Sequence, residues 1–338
     1  MPVAPAFWAE RPGFLANFLL PIGEAWDAAG RLRRAWSRPY CPPIPVVCVG
    51  NLVVGGAGKT PVVRAVAADL AARGVRAHIV TRGYGGRLDG PLRVDATRHD
   101  AEAVGDEALL LAAHAPCWVA RDRAAGIRSA VAAGAAAILL DDGFQNPTIA
   151  KTLSFLVVDA GYRFGNGRVI PAGPLRESLA SGLRRADALV LLGTEAEPGC
   201  PERIEIDSRL PVLRAVLAPI DGERLAGSRW LAFAGIGRPE KFFATLRMLG
   251  AELAETRAFP DHHQYRAGEI ERLLRDAEAM RTRLVTTVKD IVRLSPPRRA
   301  GIEVLDVELC WADPAALAQI LRPVVLSALG NGDHKNLP

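Results

Sequence analysis

Apolar and polar positions along this chain fall into blocks whose period switches repeatedly. From Pro42 onward, short runs of branched and small residues precede stretches with apolar residues at helical spacing, the order that builds a parallel sheet with crossover helices. IPVVCVGN, beginning at Ile44, reads as a buried strand, Lys59 to Arg73 as a helix, and RAHIVTRG as the next strand. Glu102 to His114 is a predicted helix, PCWVARD a strand, Arg123 to Ala133 a helix, and AAAILLDDG a strand fit for burial on both faces. LSFLVVDAG and ADALVLLG continue the series. After the Gly-, Pro- and Glu-rich GTEAEPGCP, Arg203 to Leu225 alternates as paired strands or a linker would. A second α/β set follows: RWLAFAGIG, a helix over Pro239 to Leu249, a helix near Ala267 to Ala279, RLVTTVKD and IEVLDVEL. The expected organisation is an N-terminal helical segment at 1–40, a core domain at 41–200, a β linker at 201–228 and a smaller C-terminal α/β domain at 229–325. The tail from 326 to 338 reads as disordered.

The first forty residues break this pattern. Phe7, Trp8, Phe14, Phe18, Leu19, Leu20, Ile22 and Trp26 precede Arg31, Arg33, Arg34 and Arg38. The apolar run Phe14 to Ile22 is far shorter than the ~20 residues a spanning helix requires. Two placements remain open: a helix lying in the interface of an anionic membrane, or one docked on the protein's own core. No signal-peptide order is present, since a basic leader and a small-residue cleavage site are both missing.

Composition narrows the chemistry. With 338 residues and 49% hydrophobic content the chain can bury a large core. Lys and Arg (42) exceed Asp and Glu (37), which favours anionic partners. No aromatic-basic stripe outside the N-terminus points to nucleic acid. Five scattered cysteines, with no C-x-x-C pair, argue against a disulfide framework or a zinc site and fit a reducing cytoplasm.

The candidate chemistry begins at GNLVVGGAGKTP, residues 50 to 61, which sits between a strand and a helix and ends as a phosphate-binding loop does. Gly55, Gly56, Ala57 and Gly58 bring backbone N–H groups close to phosphate oxygens, Lys59 supplies charge, and Thr60 a hydroxyl for magnesium. Val53 stands where the general pattern has its first glycine. Asp141 and Asp142 close a buried strand, the place where such folds put a metal-binding carboxylate. Loop and carboxylates together predict a P-loop NTPase-like core that binds ATP and Mg2+, and phosphoryl transfer or nucleotide hydrolysis as the reaction class.

At this point the sequence resembles the tetraacyldisaccharide 4'-kinases of lipid A synthesis. The resemblance rests on GNLVVGGAGKTP, TRGYGG, VGDEALLLA, VARDR, DDGFQ, PAGPLRE, FPDHHQY and TTVKDIVRL, in family order over residues 10 to 320. Val53 is then a family trait, whereas Ala108 and Val288 depart from the residues the family commonly has there. The resemblance implies transfer of the ATP γ-phosphate to the 4'-hydroxyl of an acylated glucosamine disaccharide 1-phosphate, at the cytoplasmic face of a bacterial inner membrane. It implies Asp106 as base paired with His262, and Arg176 on phosphates. Of the other charged and polar residues, Arg121 and Arg123 follow a strand and are placed to clamp phosphates, Asp261 either holds His262 or caps a helix, and Gln145, beside the aspartates, orients water or substrate. His263 is expected to be merely exposed. The rival from the sequence is a membrane-associated nucleotide switch, which shares the loop and the aspartates but has no use for the DHH segment.

Overall fold

The computed structural model describes residues 5–56, 58–193 and 210–330. In chain order its helices and strands begin with α1 (Phe14–Phe18) and α2 (Leu20–Trp36). There follow β1 (Val46–Gly50), α3 (Lys59–Ala72), β2 (Ala77–Thr81), β3 (Leu92–Arg93), α4 (Ala101–Val104), α5 (Asp106–Ala112), β4 (Cys117–Val119), α6 (Arg123–Ala132), β5 (Ala137–Asp141), β6 (Leu153–Asp159), α7 (Leu179–Leu183), β7 (Ala188–Leu192) and β8 (Val212–Pro219). The chain then forms β9 (Arg229–Ala234), α8 (Pro239–Met248), β10 (Glu252–Ala258), α9 (Ala267–Ala279), β11 (Arg283–Thr287), α10 (Val288–Ile291) and β12 (Ile302–Leu305). It ends with β13 (Val307–Trp311) and α11 (Pro314–Gly330).

Among the described residues a nine-stranded sheet runs β13-β8-β7-β6-β1-β5-β2-β4-β3. Every pairing from β8 to β4 is parallel, and only the two outermost are antiparallel. The central strands are buried throughout their length, which is why they are apolar without alternation. Val47 and Val49 point to the side covered by α3, α5 and α11, while Val46 and Cys48 point to the side of α6 and the 144–175 loops. A second, all-parallel sheet runs β10-β9-β11-β12, with α8 on one face and α9 on the other. The α/β class with a large parallel sheet and a smaller second unit is as expected.

The boundaries differ from the sequence expectation in three places. The linker 201–228 contains β8, a full member of the large sheet. IEVLDVEL is two strands, and only β12 belongs to the second unit, because β13 returns to pair with β8. α11 continues to Gly330 and buries Leu317, Leu321, Val324 and Ala328 against the first core, so the chain from 307 onward belongs with that core and Leu326 to Gly330 are helical. The reason is that β8 and β13 are partly exposed strands whose partner lies some ninety positions away, a pairing that local alternation does not reveal. Residues 331–338 lie outside the described residues.

Candidate active site

The phosphate-loop sequence leaves the C-terminal end of β1, the strand between β5 and β6. Val53 is buried, bridges Leu175, and lies in the same core cluster as Phe144 and Leu175. A glycine there would give up that packing, while the left-handed turns come from Gly55 (φ 111°) and Gly58 (φ 75°). A Cβ on Gly58 would meet Leu192 Cδ1 at 2.5 Å. The fourteen-residue α3 starts here without a side-chain cap, leaving its first N–H groups available to an anion. Lys59 Nζ donates to Asn51 Oδ1 at 3.2 Å, and Asn51 Nδ2 donates to Val53 O at 2.9 Å, so a buried asparagine braces both loop and lysine. Ala57 lies outside the described residues.

Parallel register places Asp141 opposite Val49, beside the loop. Its Oδ2 accepts from Thr81 Oγ1 at 3.0 Å, while Oδ1 is buried without a hydrogen-bond partner among the described residues. Burial first, then the nearby charges of Glu107 and Asp142, push this carboxyl up to about 7. Asp142 takes a left-handed backbone (φ 51°). It accepts from Arg176 Nη1 at 2.9 Å and has Lys59 Nζ at 3.8 Å. Burial would raise the Asp142 carboxyl, but Lys59 and Arg176 hold it below the usual range. Gln145 Nε2 donates to Asn51 O at 2.9 Å, and its Oε1 accepts weakly from Arg176 at 3.4 Å.

The second unit completes the site. Asp106, at the start of α5, accepts from Arg293 Nε at 2.8 Å and Nη2 at 2.5 Å, and its Oδ2 is 3.0 Å from His262 Nδ1. Gly105 allows this approach: its φ is 89°, and a Cβ would lie 2.4 Å from Tyr84 O. That contact explains why TRGYGG and VGDE occur together, since Gly83 and Gly86 also pack on the Val104 backbone. Burial would raise the Asp106 carboxyl, but the hydrogen bond with His262 and the Arg293 guanidinium hold it well below the carboxylate range. The same hydrogen bond raises His262 above an ordinary imidazole. His262 itself adopts φ 59°, and Tyr84 lies against its ring at 5.4 Å between centroids. Asp261 Oδ2 is 3.9 Å from His262 Nε2, beyond hydrogen-bond range.

Several participants were not anticipated. Arg293 is fully buried and also binds Asp290 Oδ1 at 2.9 Å and Gly235 O at 2.6 Å. Lys289 Nζ donates to Glu107 Oε1 at 2.8 Å, and Thr60 Oγ1 donates to the same oxygen at 3.1 Å. Glu107 thus ties the phosphate loop to the second unit. The i, i+3 spacing of Asp290 on α10 and Arg293 in the turn that follows it was the available signal. His263 is not simply exposed, for it bonds Glu269 at 3.1 Å and stacks on Phe259. Arg121 stands apart from the loop cluster, half-exposed and paired with Asp89 at 2.9 Å.

The arrangement combines an anion-binding loop, a carboxylate pair at the adjacent strand end, and a carboxylate–imidazole pair. A family model described as tetraacyldisaccharide-1-P 4'-kinase matches residues 15–326. A tetraacyldisaccharide 4'-kinase of Rhodospirillum centenum is 53% identical over 98% of both chains, and that of Rhodospirillum rubrum 48% identical over 96% of this chain and 99% of its own. A crystal structure of LpxK from Aquifex aeolicus in complex with ATP superposes with a TM-score of 0.76 at 27% identity, covering 92% of this chain and all of that one. Loop, acids and fold therefore have one common source: this chain belongs to the tetraacyldisaccharide-1-P 4'-kinase family.

Proposed function

We infer that the protein transfers the γ-phosphate of ATP to the 4'-hydroxyl of a tetraacylated glucosamine disaccharide 1-phosphate, giving the bisphosphorylated lipid and ADP. The observation that carries this reading is the Asp106–His262 pair, held 3.0 Å apart across two units beside a phosphate loop. A sugar hydroxyl is a poor nucleophile at neutral pH, so a positioned base adds to charge stabilisation on the phosphates. The 4'-hydroxyl oxygen attacks the γ-phosphorus, its proton passes to the Asp106–His262 pair, and the bond to the ADP oxygen breaks. Lys59, Arg176 and the N–H groups at the start of α3 bind the phosphate oxygens. Gln145 fixes Arg176 relative to the loop.

The donor set fits a magnesium ion. Asp141 offers a buried, unpartnered carboxylate oxygen at the end of the strand beside β1, and phosphate-bound magnesium needs only one or two protein carboxylates. No group of three or more His, Cys, Asp or Glu suited to a metal occurs among the described residues, which agrees with an ion that arrives on the nucleotide. Thr60, Asp141 and Asp142 would hold it, Asp142 sharing its carboxylate with Arg176. When bound, it neutralises charge on the β- and γ-phosphates.

The acceptor's acyl chains require the enzyme to work at a bilayer surface. α1 and α2 dock through Ala16, Gly23 and Asp27, where Asp27 Oδ1 accepts from Ser178 N at 2.9 Å and Gly23 abuts Val169 O. The rest of the segment exposes Phe14 (86%), Phe18 (69%), Ile22 and, although its indole N–H donates to Arg176 O, Trp26. This exposure supports a reading that joins the two placements left open by the sequence: small and polar positions grip the protein, and the apolar stripe enters the interface of the inner membrane's cytoplasmic leaflet. No helix among the described residues is long and apolar enough to cross a membrane.

Purified protein incubated with radiolabelled ATP, magnesium and the acylated disaccharide monophosphate is expected to label the lipid, and Asp106→Ala to reduce labelling at least about a hundredfold. Full ATP turnover without acceptor and without labelled lipid would establish the switch instead.

A further inference from the structure

TTVKDIVRL, residues 286 to 294, supplies no part of the phosphate loop, the carboxylate pair or the base, yet two of its cations reach into the site. Lys289 and Arg293, four positions apart, grip consecutive acids at the start of α5. Lys289 Nζ donates to Glu107 Oε1 at 2.8 Å, and Arg293 Nε donates to Asp106 Oδ2 at 2.8 Å. Asp290, with no exposure, fixes the frame that carries both. Its Oδ1 accepts from Gly235 N at 2.9 Å, Tyr265 Oη at 2.8 Å and Arg293 Nη1 at 2.9 Å, and its Oδ2 accepts from Thr287 Oγ1 at 2.6 Å. A buried carboxylate with these donors cannot turn without breaking bonds to the ends of β9 and β11 and to the approach to α9, so α10 offers Lys289 at one place. Arg293 serves the base. Lys289 serves a different atom.

Glu107 Oε1 is shared, for it takes the ammonium of Lys289 and, at 3.1 Å, the hydroxyl of Thr60. A threonine hydroxyl has one proton and two lone pairs, so a proton given to Glu107 leaves only lone pairs for any other partner. Thr60 is buried, and its hydroxyl is therefore oriented by this acceptor rather than by bulk water. Lys289 is the one ion-pair partner of Glu107 among the described residues, so it decides where the accepting oxygen sits. Resting on the kinase reading above, we propose that Lys289 is a positioning residue for magnesium: by holding Glu107 it keeps the Thr60 proton on that carboxylate, so that the threonine oxygen presents its lone pairs to the ion that arrives with the nucleotide. Partners that orient a ligating group in this way set metal affinity without touching the metal. Because Lys289 and Arg293 share one frame, the second unit then aligns the hydroxyl that meets the metal and the carboxylate that takes the substrate's proton in a single movement.

The test is calorimetric titration of the full chain with β,γ-methylene-ATP, in EDTA and over a series of free Mg2+ concentrations, with no lipid present. The wild type is expected to bind the nucleotide more tightly as Mg2+ rises. Lys289→Met should raise the Mg2+ concentration at the midpoint of that rise about tenfold or more, while affinity in EDTA stays within about threefold. In a Thr60→Val background the hydroxyl is gone, and Lys289→Met should then shift the midpoint no further. A merely structural ion pair would not show that dependence on one hydroxyl. Lys289→Gln, which keeps a donor to Glu107, should give an intermediate shift, and the same cycle run with it decides the matter if thermal unfolding shows the Met variant to be unfolded. Equal losses of affinity in EDTA and in Mg2+ would overturn the assignment, since Lys289 would then act on the phosphates themselves. So would an undiminished shift in the Thr60→Val background, or a wild type whose nucleotide affinity ignores Mg2+. A wild type that responds to Mg2+ as expected but transfers no phosphate to the lipid would sink the kinase reading and leave the role of Lys289 standing.

Discussion

Asp106 and His262 move each other's titration in opposite directions, the carboxyl down and the imidazole up. Each shift favours the charged form, carboxylate and imidazolium, so losing the imidazole proton, which leaves the pair free to take one from the substrate, requires a higher pH than an ordinary histidine needs. The rate should climb with pH through a value above the ordinary ~6.5 of histidine, and His262→Asn should flatten that limb while lowering kcat by about a hundredfold. A wild-type limb at or below the ordinary imidazole value would refute the shared-proton arrangement. The linkage signs follow. The raised histidine contributes stability that is complete below ~6.5 and is lost as pH rises through its folded value, whereas the depressed aspartate contributes stability above ~3.9 that is lost as pH falls through its folded value. Arg293 holds this pair from beneath, with no exposure and two buried carboxylates as partners. Arg293→Met should destabilise the protein by about 3–5 kcal/mol, read as a lower midpoint in denaturant, because it strands both charges. At this scale the sequence was informative only where a motif had a family behind it. Taken alone, Asp106 after a glycine reads as a helix cap, and Arg293 and Lys289 meet partners 187 and 182 positions away, which no spacing announces.

Elements defined by one strong period, such as β1, β5, α3 and α9, lie where the apolar pattern puts them, because burial on a fixed face dictates the pattern. The phosphate loop was legible for the same reason: strand, glycine turn, lysine and helix are contiguous. α2 is the opposite case. Its sequence shows an apolar face without saying which way it points, and the docking face turns out to be the small and polar one, set by Gly23 against Val169 O and Asp27 against Ser178 N. A Cβ at Gly23 would come within 2.8 Å of that carbonyl, so Gly23→Leu should lift α2 from the 166–181 loops and expose the segment to limited proteolysis. By contrast, Phe14→Ser with Phe18→Ser alters side chains that touch little of the protein. Thermal stability should change by less than about 1 kcal/mol, while partitioning into anionic vesicles should fall about tenfold or more. Equal vesicle binding by this variant and the wild type would remove α1 and α2 from the membrane contact.

At the scale of the whole molecule the second unit is an insertion rather than a C-terminal appendage. The chain leaves the large sheet after β8 and re-enters it at β13, and the two crossings lie side by side, with Ile220 N bonded to Asp306 O at 2.9 Å. Arg64 of α3 clamps the return point through two 2.9 Å bonds to Asp306. Sequence order hid this, because Asp306 is a single residue between two apolar runs that read as one strand. Adjacent crossings mean the large core can close without the insertion, which predicts a dissection of function. Replacing 221–305 by a short Gly-Ser linker should leave a folded core with its phosphate loop, Asp141 and Asp142, but without His262, Lys289 or Arg293. Such a core is expected to bind ATP within about tenfold of the intact protein by calorimetry, since the phosphate contacts are local to it. It should transfer no phosphate to the lipid, since the pair at Asp106 is broken. Loss of ATP binding in a core that still unfolds cooperatively would mean that the Lys289–Glu107–Thr60 chain is needed to hold the loop itself, and would move the second unit from completing the base to building the nucleotide site.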